Sequence, residues 1–237
     1  MYENDIIARN VVGVRAEIGA ALKKAGREAD AVRLIAVTKT ATADVLPELL
    51  KNGVSDAAEN RWQVARDKFE HPSASAFDWH FIGPLQTNKL KYVLPRFSWI
   101  HAVDRLELAQ AISDEAGRRN CLPQLLLQVN VAREPQKHGF APEEALAAAK
   151  VVAQMPNLSL RGLMTMAPLV VDSEETRPVF RGLYQLWQEV QRTLGIASFD
   201  QLSMGMSNDF CVAVEEGATM VRIGRSLVSP SPTDDKM

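Results

Sequence analysis

The sequence predicts a single (β/α)8 TIM barrel with one extra N-terminal helix. Three observations carry that prediction. Strand-length apolar runs alternate with helical stretches from residue 33 to residue 223, and eight such runs are present. Alternating strand and helix demands a parallel sheet with right-handed crossovers. No glycine-rich dinucleotide loop follows the first run, where Thr38-Lys39-Thr40 stands instead, which disfavours the alternative of an open doubly wound sheet. A length of 237 residues suits one barrel.

The opening helix covers about 4–24, where Ile7, Val11, Val14, Ile18 and Leu22 recur at three- and four-residue steps and form one apolar stripe. Strands are expected at 33–38, 54–59, 78–82, 98–103, 124–130, 159–164, 199–203 and 219–223. Helices are expected at 43–52, 60–70, 87–94, 105–118, 142–154, 174–194 and 208–216. Asp104 is placed to cap the helix through Leu106 and Leu108, and Pro142 suits a first helical turn. Gly53, Gly117, Gly195 and Gly217 stand where helices should stop. No long Pro/Gly/Ser linker and no internal repeat divides the chain. One domain over 1–237 is therefore expected, with 229–237 as a disordered tail.

Composition narrows the function classes. A formal net charge of −2 gives no support to a nucleic-acid or anionic-membrane surface. Cys121 and Cys211 are far apart and form no metal-type pair, so no metal site is expected and a reducing compartment is the default. The first residues lack a basic segment followed by an apolar core, and no apolar stretch approaches the roughly 20 residues of a membrane span. A cytoplasmic protein, off the membrane, is the expectation.

In a parallel barrel all strand C-termini open on one face, where chemistry gathers. The first strand delivers Lys39 there, and the second Glu59 and Asn60. The third leads into Gly83-Pro84-Leu85-Gln86, the fourth carries His101, and the fifth is followed by Asn130 and Lys137. The sixth gives Met164 and Thr165, the seventh Ser203-Met204-Gly205-Met206-Ser207, and the eighth Arg222-Ile223-Gly224-Arg225-Ser226.

Lys39 ends a buried-looking apolar run. A desolvated lysine loses its proton more readily, and a neutral amine attacks aldehydes to give Schiff bases; the plainer reading is a lysine that snorkels out at a strand end. The loops after strands seven and eight are where such barrels bind phosphate, and here they supply Gly205, Ser207, Gly224 and Ser226. An amine and a phosphate cradle on one rim suit pyridoxal 5′-phosphate or a class I sugar-phosphate aldolase. Arg222 speaks to the difference, because an arginine beside a pyridine nitrogen can only donate and leaves that nitrogen unprotonated; a salt bridge at a strand end is the plainer reading.

Six runs then carry a resemblance: Ile35-Ala36-Val37-Thr38-Lys39-Thr40, Glu59-Asn60, His80-Phe81-Ile82-Gly83-Pro84-Leu85-Gln86-Thr87-Asn88-Lys89, Gly162-Leu163-Met164-Thr165-Met166, Leu202 to Phe210, and Val221-Arg222-Ile223-Gly224. In these the chain resembles the pyridoxal phosphate homeostasis proteins of the YggS-like type over nearly its whole length. The resemblance implies a barrel like the N-terminal domain of alanine racemase. It implies that Lys39 holds pyridoxal 5′-phosphate as a Schiff base, with Arg222 at the pyridine nitrogen and Ser207 with the Gly224-Arg225 amides at the phosphate. Asn60, Met204 and Ser203 would line the ring. The implied role is a carrier that buffers and delivers the cofactor, with apo forms of pyridoxal-dependent enzymes as recipients, and without robust turnover. The chain departs from the family at Ala58, where glycine is common, at Arg225, where some members have a small hydroxyl residue, and after Ser226.

A racemase-like pyridoxal enzyme is the competing reading. Racemization needs a second base across the cofactor, and the three tyrosines, Tyr2, Tyr92 and Tyr184, all fall on expected helices. Lys39 and Lys137 remain the candidate catalytic groups: Lys137 stands where it can reach the mouth or take a transferred cofactor, and otherwise is a solvated loop lysine. His80 and His101 read as hydrogen-bonded wall residues. One open mouth and no spare apolar helix face suggest a monomer.

Overall fold

A computed structural model describes residues 4–229. The strands β1 (Arg33–Val37), β2 (Asp56–Glu59), β3 (Asp78–Phe81), β4 (Trp99–Val103), β5 (Gln124–Gln128), β6 (Ser159–Met164), β7 (Gln201–Ser203) and β8 (Met220–Ile223) form a closed parallel barrel in sequential order. Closure is made where β8 pairs with β1, with Leu34 opposite Val221 and Ile35 opposite Arg222. Around it lie α1 (Asn4–Lys24), α2 (Val45–Lys51), α3 (Trp62–Phe69), α4 (Leu90–Val93), α5 (Leu106–Arg119), α6 (Pro142–Val152), α7 (Arg177–Leu194), α8 (Phe210–Glu215) and α9 (Arg225–Val228). The extra helix α1 packs its stripe, Ile7, Val11, Val14 and Leu22, against the body of the protein beside α8 and α9.

Side chains on a strand alternate between faces, and the two faces here bury different sets. Ile35, Val37, Ala58, Trp99, Leu126, Met164 and Met220 pack together in the bore. Leu34, Ala36, Ala57, Leu125, Leu127, Leu163 and Val221 belong to the larger cluster between sheet and helices. Burial on both faces makes these strands continuous apolar runs. Gly162, on β6, shows how tightly β6 and β7 approach: a Cβ there would lie 1.7 Å from the Gln201 carbonyl oxygen.

All eight expected strands are present; β6 has its expected bounds, and each of the others is shorter at one end by one or two residues. Two boundary expectations fail. Asp104 does not cap α5; Arg105 holds that position without a side-chain cap, and the Asp104 carboxylate instead takes Arg105 at 2.6 Å and His138 at 3.4 Å. Gly117 does not stop α5, which continues to Arg119 and ends on Asn120 in the left-handed conformation (φ 51°). Asparagine tolerates that conformation, so the glycine was not needed. Gly53, Gly195 and Gly217 do follow helix ends, with φ of 72°, 63° and 103°. The 3₁₀ turn Pro72–Ala76 and the short α9 carry too few residues for a periodic signal. Of the expected tail only Ser229 falls within the described residues. No described helix is long and apolar enough to cross a membrane.

Candidate functional site at the barrel mouth

β1 ends at Val37, and the next two residues set the rim. Thr38 stays fully buried and donates its hydroxyl to Glu59 Oε1 at 2.6 Å. The same oxygen lies 2.7 Å from Lys68 Nζ, in an ion pair with side-chain exposures of 4% for Lys68 and 0% for Glu59. Lys39, by contrast, is exposed. The expected desolvated amine is therefore not present: Thr38 takes the last buried position, and the chain has left the sheet at Lys39. Lys39 keeps the parity of Ile35 and Val37, the bore-lining residues of β1. Among the described residues no hydrogen bond or ion pair ties up its amine.

Arg222 is 4% exposed and makes no ion pair among the described residues, so it is not a strand-end salt bridge. One guanidinium nitrogen donates to Ser203 Oγ at 2.6 Å, and another to the Thr165 carbonyl at 3.0 Å. Thr165 is itself fixed, donating its hydroxyl to the Val129 carbonyl at 2.7 Å. Burial lowers the Arg222 pKa to about 10, against the pull of Asp209, so the group remains a cation at neutral pH. Behind Ser203 stand His101, with Nδ1 2.9 Å from Ser203 Oγ, and His80, with Nδ1 2.9 Å from His101 Nε2. Both are buried and hydrogen-bonded, as expected of wall residues. Ser203 thus spends its hydroxyl on supporting Arg222.

The loops after β7 and β8 meet across the rim. Gly205 has φ of 92°, and its carbonyl accepts from the Arg222 amide at 3.0 Å. A Cβ on Gly205 would approach the Ala213 Cβ to 2.6 Å. Asp209 Oδ1 accepts from the Met206 amide at 2.6 Å, and burial pushes its carboxyl pKa up. The Ser226 amide faces Ser207 Oγ at 3.5 Å, and Arg225 reaches Asn208 Oδ1 at 3.2 Å, so both contacts join one loop to the other. Met204 is fully buried in the sheet–helix cluster, which leaves its backbone, not its thioether, at the mouth.

Asn60 follows β2, and its carbonyl sits against Gly83: a Cβ there would lie 2.1 Å from it. The methyl of Ala58 packs into the bore below the rim. Lys137 is neither solvated nor free. Its ammonium donates to the Ala167 carbonyl at 2.9 Å and the Met166 carbonyl at 3.4 Å, and pairs with Glu134. It therefore ties the loop after β5 to the loop after β6 at the mouth.

The sequence reading missed the opposite end of the bore. Arg33, Asp56 and Asp78 each begin a strand, and in a closed barrel those first positions share one floor. Arg33 donates to both carboxylates, and Asp56 also meets His80 Nε2 at 3.0 Å. Asp56, Asp78 and His80 bring ligand-type atoms within 4.8 Å of one another, but the Arg33 guanidinium already stands among them. Trp99 stacks on His80 at 5.5 Å between centroids, with Arg33 and Arg161 over its ring.

A closed parallel barrel with an amine, a pinned guanidinium and two glycine-serine loops on one mouth makes this a (β/α)8 protein with a candidate site at its strand C-termini. Residues 15–232 match the family described as alanine racemase, N-terminal domain. A pyridoxal phosphate homeostasis protein of Pseudomonas aeruginosa is 42% identical over 223 residues, 93% of this chain and 94% of that protein. One from Aquifex aeolicus is 41% identical over 207 residues, 87% of this chain and 90% of that protein. The structure of PipY from Synechococcus elongatus with PLP bound superposes with a TM-score of 0.79 at 32% identity, covering 93% of this chain and 99% of that one. The chain belongs to the pyridoxal phosphate homeostasis protein family and is built on the alanine racemase N-terminal domain barrel.

Proposed function

We propose that this protein binds pyridoxal 5′-phosphate at the barrel mouth and holds it for delivery in the cytoplasm, without robust turnover of its own. The observation that carries the reading is Arg222, a buried cation pinned by Ser203 and the Thr165 carbonyl at the end of β8. A fixed donor there suits a pyridine nitrogen and keeps it unprotonated. The rest of the rim fits the same molecule. Ser207, Gly224 and the Arg225 and Ser226 amides offer donors to a phosphate, and the 3.5 Å Ser226–Ser207 contact is weak enough to yield to an anion. Asn60 and the Met204 backbone flank the space between. When bound, the cofactor supplies an aldehyde that condenses with a primary amine as a Schiff base; Lys39 offers an accessible one.

Three features support holding over turnover. The amine is exposed, so water reaches it, whereas reactive carbanions require water to be excluded. Tyr184 lies against Gly217, at the floor end of β8, and Tyr92 stacks on Trp62 outside the barrel, so neither described tyrosine serves as a base at the mouth. Lys137 is held by two carbonyls and Glu134, so it offers no free amine as a second base at the mouth. The same reading takes the protein as a monomer, with apo forms of pyridoxal-dependent enzymes as recipients.

Titration with pyridoxal 5′-phosphate, followed by borohydride reduction and peptide mass mapping, tests it. One adduct is expected, on Lys39, lost in Lys39→Ala. No adduct, or an adduct confined to another lysine, overturns the reading. Steady racemization of alanine or serine would overturn the carrier role alone.

A further inference from the structure

Five polar side chains run in single file through the bore from mouth to floor. Arg222 reaches Ser203 Oγ at 2.6 Å, and Ser203 Oγ lies 2.9 Å from His101 Nδ1. His101 Nε2 lies 2.9 Å from His80 Nδ1, and His80 Nε2 lies 3.0 Å from Asp56 Oδ1. Asp56 is anchored in turn by Arg33.

The chemistry of the two ends fixes the direction of every bond between them. A guanidinium only donates and a carboxylate only accepts. Ser203 Oγ therefore accepts from Arg222, and its one hydrogen goes to His101 Nδ1. His101 then carries its hydrogen on Nε2 and donates to His80 Nδ1. His80 likewise carries its hydrogen on Nε2 and donates to Asp56. Each contact has one donor and one acceptor, with both imidazoles neutral. Reversal would set two acceptors face to face at His80 and Asp56 and strand the Ser203 hydrogen in a buried site, at the cost of unsatisfied polar groups.

We infer that Ser203, His101, His80 and Asp56 are positioning residues: a directional hydrogen-bond file, anchored at the barrel floor, that fixes the Arg222 guanidinium as a donor at the mouth. The charged groups facing the two imidazoles are Asp56 on β2, Asp78 on β3, Arg33 on β1 and Arg222 on β8. Burial depresses the pKa of both imidazoles, His101 the further, in keeping with neutral rings. His80 and His101 lie behind Ser203 and act only through it. What Arg222 faces rests on the pyridoxal phosphate reading; the file itself does not.

The test has one arm without ligand and one with it. In ¹⁵N-labelled protein free of ligand, His80 and His101 should both be neutral, protonated on Nε2, and should stay so as the pH falls through the free-imidazole value of about 6.5. A hydrogen on Nδ1 of either ring, or titration of either ring at about pH 6.5, overturns the file whether or not the cofactor binds. In the second arm, His80→Phe keeps a ring against Trp99 and removes the link to Asp56. It should weaken pyridoxal 5′-phosphate binding by about tenfold, the worth of one hydrogen bond in a charged network, and move the pH at which the bound cofactor's visible absorption changes. An unmoved pH profile with unmoved affinity overturns the positioning role. Failure of the wild type to bind the cofactor at all sinks the functional reading and leaves the first arm to judge the file.

Discussion

Lys68→Met should be among the most damaging single substitutions to stability. Lys68 and Glu59 are paired at 2.7 Å with side-chain exposures of 4% and 0%, and the other Glu59 oxygen is buried without a partner. Methionine keeps most of the aliphatic stem, so the loss is mainly the cation. Removing one partner of a buried pair costs about 3–5 kcal/mol, because the remaining charge is left uncompensated. That is about a fifth or more of the 5–15 kcal/mol by which a typical domain is stable. With an m-value of about 3 kcal/mol per M in urea, the midpoint should fall by about 1 M or more. Urea unfolding followed by the fluorescence of buried Trp79 and Trp99 reads this directly. Lys68→Met combined with Glu59→Gln should recover at least half of the loss, since a neutral amide still accepts from Thr38. A loss under about 1 kcal/mol for the single variant, or a double variant as unstable as the single, refutes the argument from uncompensated charge.

Gly162→Ala should cost about 3 kcal/mol or abolish soluble expression, because its methyl would fall 1.7 Å from a backbone oxygen of the neighbouring strand; thermal unfolding checks it, and a loss below 1 kcal/mol would show that β6 and β7 can part. Acid should destabilise the protein through His80 and His101. Both are depressed in the folded state, so below pH 6.5 the unfolded chain takes up protons that the native chain refuses, and stability falls as pH drops. The slope reaches at most about 1.4 kcal/mol per pH unit for each imidazole, and urea midpoints that stay flat from pH 7 to pH 5 would contradict it.

The barrel was legible because each of its strands is buried on both faces, so runs such as Leu34-Ile35-Ala36-Val37 stand out without any alternation to decode. The rim was legible for the same reason: once the strand ends are placed, a closed parallel topology brings Lys39, Asn60, Ser207 and Arg222 to one side. What a strand end does not reveal is which residue leaves the sheet first. Thr38 stays buried through its hydrogen bond to Glu59, and Lys39 does not, a difference set by a residue 21 positions away. The floor was hidden more deeply. Asp56 lay inside the expected second strand and Asp78 opened the expected third, and only the pairing of Asp56 with Asp78 across β2 and β3 puts them under His80. That the Met204 thioether turns into the sheet–helix cluster, leaving its backbone at the mouth, could not be read from sequence, because parity at the end of the three-residue β7 is too short.

A barrel that needs only to fold could fill its bore with apolar side chains, as Val37, Leu126 and Met164 do elsewhere in it. Two buried imidazoles in their place carry a desolvation cost that only complete hydrogen bonding offsets. Here it is complete, and the polarity is set by the two charged ends. Under the proposed reading the outcome is a cation whose position does not depend on solvent and whose protons cannot be given up at neutral pH. Such a partner holds a pyridine nitrogen without protonating it, which limits how far the ring can withdraw electrons from a bound amine. The grip and the weak chemistry would then share one cause. Arg222→Glu would separate them: a carboxylic acid there could protonate the ring, yet it would face Ser203 and the Thr165 carbonyl with at most one hydrogen to donate. Pyridoxal 5′-phosphate affinity should therefore fall by at least tenfold even though the ring becomes the stronger electron sink, and equilibrium titration showing undiminished affinity would break the link between the file and the grip.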